Sequence, residues 1–243
     1  VEKSLSSFGV NVFYKEEVVE KKKFNKLKKI KLKRSNEILS ANEVLSAIGR
    51  EPNTNDLNIE KIGLKINKNN AIEVNNNLET NVRNIYALGD VTDRVNLTPV
   101  AIAEGHALAD KIYGSKSFKK LNLSYVGSAV FSTPPICSVG PSEEFVKKTF
   151  KHIQIYESNF YSLKYSIVKK KIPTYIKLIV NGDNNRIISA HMFGEEAPEI
   201  IQMIAVCINA KATINNFKDT IAIHPTVAEE FVTFRLVSRV HKN

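Results

Sequence analysis

The sequence predicts a chain with an α/β first half and an α+β second half. In the first half, the apolar runs EVLSAIG and NIYAL lead into glycines as buried strands do, and a helix signal starts at Thr98. In the second half, PTYIKLIV and RIISAHMFG flank the turn-forming NGDNN, which predicts a β-hairpin. A helix with an apolar stripe follows, so we expect an antiparallel sheet with helices packed on one face.

Composition limits the classes of protein to which this chain can belong. Of its 243 residues, 43% are hydrophobic, which supplies a folded core and argues against disorder. No apolar run reaches the roughly 18 residues that suggest a membrane span. Cys137 and Cys207 lie far apart, which is the spacing of neither a disulfide framework nor a metal site. We therefore expect reduced thiols, no metal and a reducing compartment: the cytoplasm, or an organelle stroma or matrix.

The basic segment 21–34, KKKFNKLKKIKLKR, supplies much of the net charge of +10. Ile30 and Leu32 alternate there with lysines, which is the periodicity of a strand with one solvated face. A basic cluster can also bind nucleic acid or attract acidic small molecules. The segment lacks the repeated aromatic residues that stack on bases, so nucleic acid is the less favoured partner. Together with VNVFY before it and EVLSAIG after it, the segment predicts short strands over residues 8–50.

Asp90 and the helix that follows it are the first candidate binding elements. Asp90 comes just after the NIYAL strand, where open α/β sheets bind ligands, and it could accept hydrogen bonds from ribose or polyol hydroxyls. It could equally start a turn in GDVTD. Thr98 is the predicted N-cap of the helix, Pro99 its first residue and Gly114 its end. The unpaired N–H groups at that helix start would stabilise an anion or a carbonyl that gains negative charge.

The elements of the second half are predicted in chain order. SAVFS is a short strand, and PSEEFVKK is a helix with acids first and bases last, as the helix dipole favours. The helix over residues 198–210 is expected to pack on the sheet through one stripe, formed by Ile200, Met203, Ile204, Cys207 and Ile208. A final helix is expected after Pro225. The polar stretch SKSFKKLNLSY predicts a boundary between the halves near residues 115–124.

The segment HPTVAEEF, residues 224–231, allows two interpretations. Thr226 and Glu229 form a T-x-x-E capping box, in which case His224 is an ordinary loop residue. Alternatively, Glu229 also bonds one ring nitrogen of His224, fixes its tautomer and makes the other nitrogen more basic. Such a histidine transfers protons, yet the sequence shows no activated nucleophile beside it. The residues alone leave both interpretations open, and a catalytic His224 would need a partner on a missing segment or in a bound cofactor.

Four segments together resemble one family. VLSAIGREPNT, NIYALGDVTDRVNLTPVAIAEG, FSTPPICSVG and TIAIHPTVAEEFVTFR are similar, in this order, to the flavin-dependent pyridine nucleotide-disulfide oxidoreductases, and most of all to the plant and cyanobacterial glutathione reductases. The resemblance implies the C-terminal half of a longer enzyme that uses FAD and NADPH. Residues 1–52 would end the NADPH-binding domain, 53–123 would return to the FAD-binding domain, and 124–243 would form the interface domain. The glycine-rich nucleotide motifs and the redox-active CxxxxC would lie upstream of Val1.

The resemblance also implies roles for individual residues. Asp90 would hold the ribityl chain of FAD, and Thr98 would donate its backbone N–H to the flavin. His224, which would also contact the cofactor, would be the acid/base of the dithiol half-reaction across the dimer, with Glu229 to orient it. Further contacts are implied in two groups: Gly49 and Ala129, with Phe131 close by, along the NADPH path, and Glu230, Thr233, Leu163 and His106 at the substrate. The family commonly has an arginine at the position of His106, so this chain departs from the family pattern at that substrate contact.

The expected function is therefore part of an NADPH- and FAD-dependent disulfide reductase that acts on glutathione disulfide as a homodimer. The ending HPTVAEEFVT favours the glutathione type over dihydrolipoamide dehydrogenase, which usually has HAHPTLSE. Two other classes stay open, namely a basic nucleic-acid-binding module and a non-catalytic dimerisation fragment. The chain by itself is not expected to be an active reductase.

Overall fold

The computed structural model describes residues 1–24, 26–114, 121–169 and 171–242. The chain divides into two compact units, Val1–Phe118 and Lys119–Asn243. The predicted boundary near residues 115–124 falls partly on 115–120, which lie outside the described residues.

The first unit contains a small antiparallel sheet. After helix α1 (Glu2–Ser7), strands β1 (Val18–Phe24), β2 (Leu27–Leu32) and β3 (Ile38–Ala41) pair in the order β1-β2-β3. Within β2, Leu32 is buried and Ile30 half-buried, so the predicted alternation of this basic segment is confirmed. The segment is a β-hairpin in which Lys22 lies opposite Lys29.

Two predicted strands of the first unit are absent from the described structure. Residues 10–14 and 43–49 form no strand, and Leu45 and Ile48 are 91% and 97% exposed. An apolar run becomes a buried strand only where neighbouring strands pair with it and other elements cover it, and the small sheet ends at β3. The NIYAL run likewise contributes only an isolated bridge, between Tyr86 and Glu79.

The rest of the first unit is built from turns and one long helix. The 3-10 helices Ile59–Ile62 and Gly89–Thr92 precede helix α2 (Thr98–Tyr113), which ends at Gly114 as predicted. The helix has Leu97 as its N-cap, so Thr98 is its first residue and makes no side-chain capping bond, which corrects the predicted cap by one position. Pro99 is compatible with this place because the first turn of a helix needs no intrahelical N–H donor.

The second unit is the predicted antiparallel sheet with helices. Its strands pair in the order β4-β5-β8-β7-β6-β9 and are β4 (Ser128–Val130), β5 (Ile136–Val139), β6 (His152–Tyr161), β7 (Pro173–Asn181), β8 (Ile187–Phe193) and β9 (Arg239–Lys242). The helices are α3 (Glu143–Thr149), α4 (Ala197–Asn209) and α5 (Ile214–Lys218). The predicted β7–β8 hairpin is confirmed, as are the strand in SAVFS and the acidic-to-basic helix α3.

Helices cover both faces of this sheet rather than one. Ile204 of α4 packs in one core with Leu178, while Val146 of α3 packs in another with Ile179. Because neighbouring residues of a strand point to opposite faces, these two cores lie on opposite sides of β7. The expectation of helices on one face is therefore wrong.

The apolar stripe of α4 that packs on the sheet differs in part from the predicted one. The buried residues of the helix are Ala197, Ile201, Ile204, Ala205 and Ile208. Of the predicted stripe, Ile204 and Ile208 are thus buried, Ile200 and Cys207 are partly buried against the same core, and Met203 is 63% exposed. The helix is apolar over most of its circumference, so its spacing alone was compatible with more than one buried face.

The final helix predicted after Pro225 is a single 3-10 turn, Ala228–Phe231. Val227, Phe231 and Phe234 from this region are buried in the core that α4 covers. Their spacing of four and three residues is that of an apolar helical stripe, yet the segment forms only one 3-10 turn, so the local helix signal did not decide the backbone there. Within the described residues, no helix is long and apolar enough to cross a membrane.

Candidate functional site

The strongest candidate site is a histidine–carboxylate pair in the second unit. Nδ1 of His224 lies 3.1 Å from each carboxylate oxygen of Glu229. An ionised carboxylate can only accept, so Nδ1 carries the donated proton and Nε2 is left as the reactive nitrogen. The side chain of His224 is 74% exposed whereas that of Glu229 is 17% exposed. The arrangement is thus an oriented imidazole that solvent and a substrate can reach.

The capping box exists as well, and it uses the same carboxylate. The backbone N–H of Thr226 donates to Glu229 Oε1 at 3.3 Å, and the N–H of Glu229 donates to Thr226 Oγ1 at 3.2 Å. These reciprocal bonds hold Glu229 in place at the start of the 3-10 turn. The two interpretations of the sequence are therefore compatible, because a carboxylate has enough lone pairs to bond the cap and the imidazole together.

Buried aromatic side chains anchor this segment to the core of the second unit. Phe231 and Phe234 are buried, and their ring centroids are 6.4 Å apart in an edge-to-face arrangement. Phe234 also meets Tyr156 of β6, with ring centroids 5.7 Å apart. Such pairs stabilise by about 0.5–1.5 kcal/mol beyond their buried area. The exposed His224 is therefore carried on a segment whose other side belongs to the core.

Two predicted substrate residues lie in the same segment as the His224–Glu229 pair. Glu230 is half-buried, and burial, aided by the charge of Glu229, raises the pKa of its carboxyl group. Thr233 is exposed, and its N–H donates to the backbone oxygen of Glu229 at 3.0 Å. The structure thus brings both residues to the neighbourhood of Glu229.

Leu163 lies on a separate turn of the second unit. It is exposed in the 3-10 helix Leu163–Tyr165, and its neighbour Lys164 bonds Glu195 at 2.7 Å and Glu196 at 2.6 Å. These two carboxylates hold the pKa of Lys164 above its usual range. The polar contacts of this turn therefore lead to the start of α4 and not to the His224 segment.

In the first unit, Asp90 both begins a turn and presents a carboxylate. It lies in the 3-10 helix Gly89–Thr92, and Arg50 Nη2 is 3.0 Å from its Oδ2. Thr98 is exposed at the start of α2, where the first N–H groups of a helix lack intrahelical partners. A partly exposed carboxylate acceptor and a set of helix-start donors fit the hydroxyls of a ribityl chain and the electron-rich edge of a flavin.

Sequence reasoning missed Glu104, which is only 4% exposed inside α2. Its Oε2 accepts the backbone N–H of Gly89 at 2.8 Å, and its Oε1 accepts from Arg94 Nη2 at 2.7 Å. A signal existed, because Glu104 is an acid on the otherwise apolar stripe of α2 that includes Val100 and Leu108. A charged side chain on a buried stripe needs specific partners, and Gly89 and Arg94 supply them for Glu104.

The remaining predicted residues are dispersed among other elements. Gly49 has a φ of +139° in a loop, and His106 is exposed on α2. Ala129 is half-buried in β4 opposite Cys137, and Phe131 follows that strand with an exposed ring. Among the described residues there is no group of three histidine, cysteine, aspartate or glutamate side chains that could hold a metal ion.

Comparisons with known proteins cover both units. The family described as pyridine nucleotide-disulphide oxidoreductase matches residues 1–105, and the dimerisation domain of the pyridine nucleotide-disulphide oxidoreductases matches residues 126–235. Among solved structures, the HOCl-induced flavoprotein disulfide reductase RclA from Escherichia coli aligns with a TM-score of 0.85 at 23% identity. That alignment covers 96% of this chain and 53% of RclA, and it shows the fold alone.

Curated relatives are closer in sequence. A glutathione reductase of Burkholderia cepacia is 44% identical over 197 residues, 81% of this chain and 44% of that protein. A chloroplastic/mitochondrial glutathione reductase of Pisum sativum is 43% identical over 82% of this chain and 36% of its own length. A trypanothione reductase of Trypanosoma congolense is 40% identical over 85% of this chain and 42% of its length. The chain thus spans less than half the length of these curated relatives.

Proposed function

Because the chain belongs to the pyridine nucleotide-disulphide oxidoreductases, we propose that it is part of an NADPH- and FAD-dependent reductase of glutathione disulfide. The observation that carries the proposal is the contact of His224 Nδ1 with both oxygens of Glu229. In the overall reaction NADPH is oxidised to NADP⁺, the disulfide takes up two electrons and two protons, and two thiols are released. The division into residues 1–52, 53–123 and 124–243 stays a prediction within this proposal.

His224 supplies the proton that disulfide cleavage needs. When an attacking thiolate breaks the substrate S–S bond, the departing sulfur leaves as a thiol more readily than as a thiolate. A protonated Nε2 of His224 delivers that proton, and Glu229 stabilises the imidazolium beforehand and keeps the ring in one orientation. The reactive cysteine pair is proposed to lie outside these 243 residues, since Cys137 is buried with a raised thiol pKa and Cys207 is far from it in sequence.

FAD is proposed to bind to the first unit. Bound FAD supplies the hydride and electron-transfer chemistry that side chains cannot. Asp90 would accept hydrogen bonds from the ribityl hydroxyls, and the first N–H groups of α2, at Thr98, would donate to the flavin edge, where the positive end of the helix dipole favours negative charge. Gly49, Ala129 and Phe131 stay predicted neighbours of NADPH.

The substrate is proposed to be glutathione disulfide. The glutathione reductases at 43–44% identity support it, and the net charge of +10 favours an acidic disulfide. Thr233, Glu230, Leu163 and His106 are the proposed substrate contacts. Turnover of glutathione disulfide, trypanothione disulfide and lipoamide by the complete protein tests this choice, and a preference for either of the last two would contradict it.

We also propose that two copies associate through the second unit. The outward side of α4 presents exposed apolar side chains, including Met203 and Val206, beside an apolar groove of about 460 Å³. Exposed apolar surface of this kind is typical of protein–protein contacts. The match of residues 126–235 to a dimerisation domain supports a homodimer, and in it His224 is proposed to act on the partner's cysteines.

The experiment replaces His224 with Gln in the protein expressed from its complete reading frame. We expect NADPH to reduce the flavin as in the wild type, because that half-reaction does not use His224, whereas disulfide turnover falls by a factor of about 100 to 10,000, the usual contribution of a positioned acid or base. His152→Gln is the matched control, because His152 also contacts a carboxylate, Asp183, in the same unit. Unchanged turnover in His224→Gln would remove the proposed role.

A further inference from the structure

The two proposed FAD contacts of the first unit come from different segments. Asp90 lies on the 3-10 turn Gly89–Thr92, and Thr98 lies at the start of α2. A cofactor that bonds both residues binds well only if their spacing is held before it arrives, because ordering a loop on binding costs free energy. In the described structure, a set of hydrogen bonds between the turn and α2 holds this spacing.

Glu104 is at the centre of these hydrogen bonds. It lies on α2, and its buried carboxylate accepts the backbone N–H of Gly89, the residue directly before Asp90, at 2.8 Å. A hydrogen bond to a charged acceptor in a buried place is among the stronger ones in proteins. One side chain of α2 thus fixes the turn that displays Asp90.

Three further hydrogen bonds complete the arrangement. Arg94 bonds the second oxygen of Glu104 at 2.7 Å and also donates from Nε to Thr92 Oγ1 at 3.1 Å. Thr92 Oγ1 in turn donates to the backbone oxygen of Gly89 at 2.7 Å. The charge of the buried carboxylate is therefore paired, and both backbone polar groups of Gly89 are satisfied.

The turn also packs directly on α2. A Cβ placed on Gly89 would lie 2.9 Å from Cβ of Ala101, and Gly89 has a φ of +69°, which favours glycine. Ala101 and Glu104 are three residues apart and so lie on the same face of the helix. That face meets the turn through a close contact and a hydrogen bond.

We infer that Glu104 is a positioning residue for FAD binding: with Arg94, it holds the turn of Asp90 against α2, so that Asp90 and the helix start at Thr98 meet the cofactor at a fixed spacing. This inference rests on the proposed function. Glu104 acts through Asp90 and is not itself a ligand of the cofactor.

The test measures the affinity of the complete apoprotein for FAD by fluorescence titration, for Glu104→Ala and for Glu104→Gln. We expect the Kd to rise by about tenfold in Glu104→Ala, since a charge-assisted hydrogen bond is lost. Glu104→Gln keeps the volume and an oxygen for the Gly89 N–H, so a smaller rise is expected, and it carries the test if the alanine variant does not fold. Glu79→Gln is the control, because Glu79 pairs with Lys111 of the same helix, away from the turn.

A double-mutant cycle separates positioning from general destabilisation. If Glu104 acts through Asp90, then Glu104→Ala changes the Kd little in an Asp90→Asn background, whereas a purely structural effect adds to that of Asp90→Asn in full. Additive effects, or a wild-type Kd in both Glu104 variants, would overturn the inference. A wild-type protein that does not bind FAD would instead overturn the proposed function.

Discussion

The replacement of Glu229 by Gln tests the most specific part of the site. The amide keeps the size of the side chain and one oxygen that can accept from His224 Nδ1, but it removes the negative charge. In the wild type both oxygens lie 3.1 Å from that nitrogen. A unit charge pair about 4 Å apart is stabilised by about 1 kcal/mol in water and by about 4 kcal/mol in a partly shielded site.

The exposure of the two side chains decides between these limits. His224 is largely exposed, so solvent screens the pair strongly, although Glu229 itself is mostly buried. We therefore take about 1.5 kcal/mol as the stabilisation that the imidazolium loses, which corresponds to about a tenfold lower rate of disulfide reduction. Loss of the hydrogen bond as well would add to this effect, so Glu229→Ala is expected to be slower than Glu229→Gln.

The assay is stopped-flow measurement on the complete protein. The pre-reduced protein is mixed with glutathione disulfide to follow its reoxidation, and the oxidised protein is mixed with NADPH to follow flavin reduction. Only the first rate is expected to fall in Glu229→Gln. Asp183→Asn is the matched control, since Asp183 Oδ1 contacts His152 Nδ1 at 3.3 Å in the same unit. A wild-type reoxidation rate in Glu229→Gln, or an equal fall in Asp183→Asn, would refute the reasoning.

Two other predictions concern assembly and stability. Met203→Glu places a charge on the exposed apolar side of α4 and is expected to shift the protein from dimer to monomer in sedimentation velocity, whereas Phe145→Glu on α3 leaves the dimer intact; a dimer in both variants would contradict the proposed interface. Burial, with the nearby Lys177, lowers the pKa of His191 from 6.5 to about 4, so the unfolded chain binds a proton between these pH values that the folded chain does not. Stability should therefore fall by about 3 kcal/mol as the pH drops through this window, and urea unfolding of His191→Phe should show a shallower fall. An unchanged slope would show that other groups control the acid sensitivity.

Local signals in the sequence were reliable where neighbours in the chain supply the contacts. The β7–β8 hairpin follows from its turn residues, and the acidic start of α3 follows from the helix dipole. The strands predicted from the apolar runs EVLSAIG and NIYAL were wrong, because an apolar run does not show whether strands lie on both sides of it. Leu45 and Ile48 are exposed for that reason, and the role of neighbouring strands could not be read from the run itself.

The capping box of Thr226 and Glu229 could be predicted from the sequence, and so could the short separation of Glu229 from His224. His224 and Glu229 are five residues apart, and the capping box with Thr226 fixes their relation through bonds within one short segment. Such contacts depend on few dihedral angles and need no distant partner, so residue types and spacing were sufficient to predict the capping box, whereas the bond of His224 to Glu229 was one of two interpretations.

How the proposed cofactor residues are held could be seen in the folded structure alone. Glu104 meets Gly89 across 15 residues, and Arg50 meets Asp90 from a separate loop. Likewise, the sheet selects which apolar side of α4 is buried and leaves Met203 outside. Partners this distant in the chain meet only after the fold has formed, and many pairings satisfy the same local pattern, so the packing of the whole unit had to choose among them.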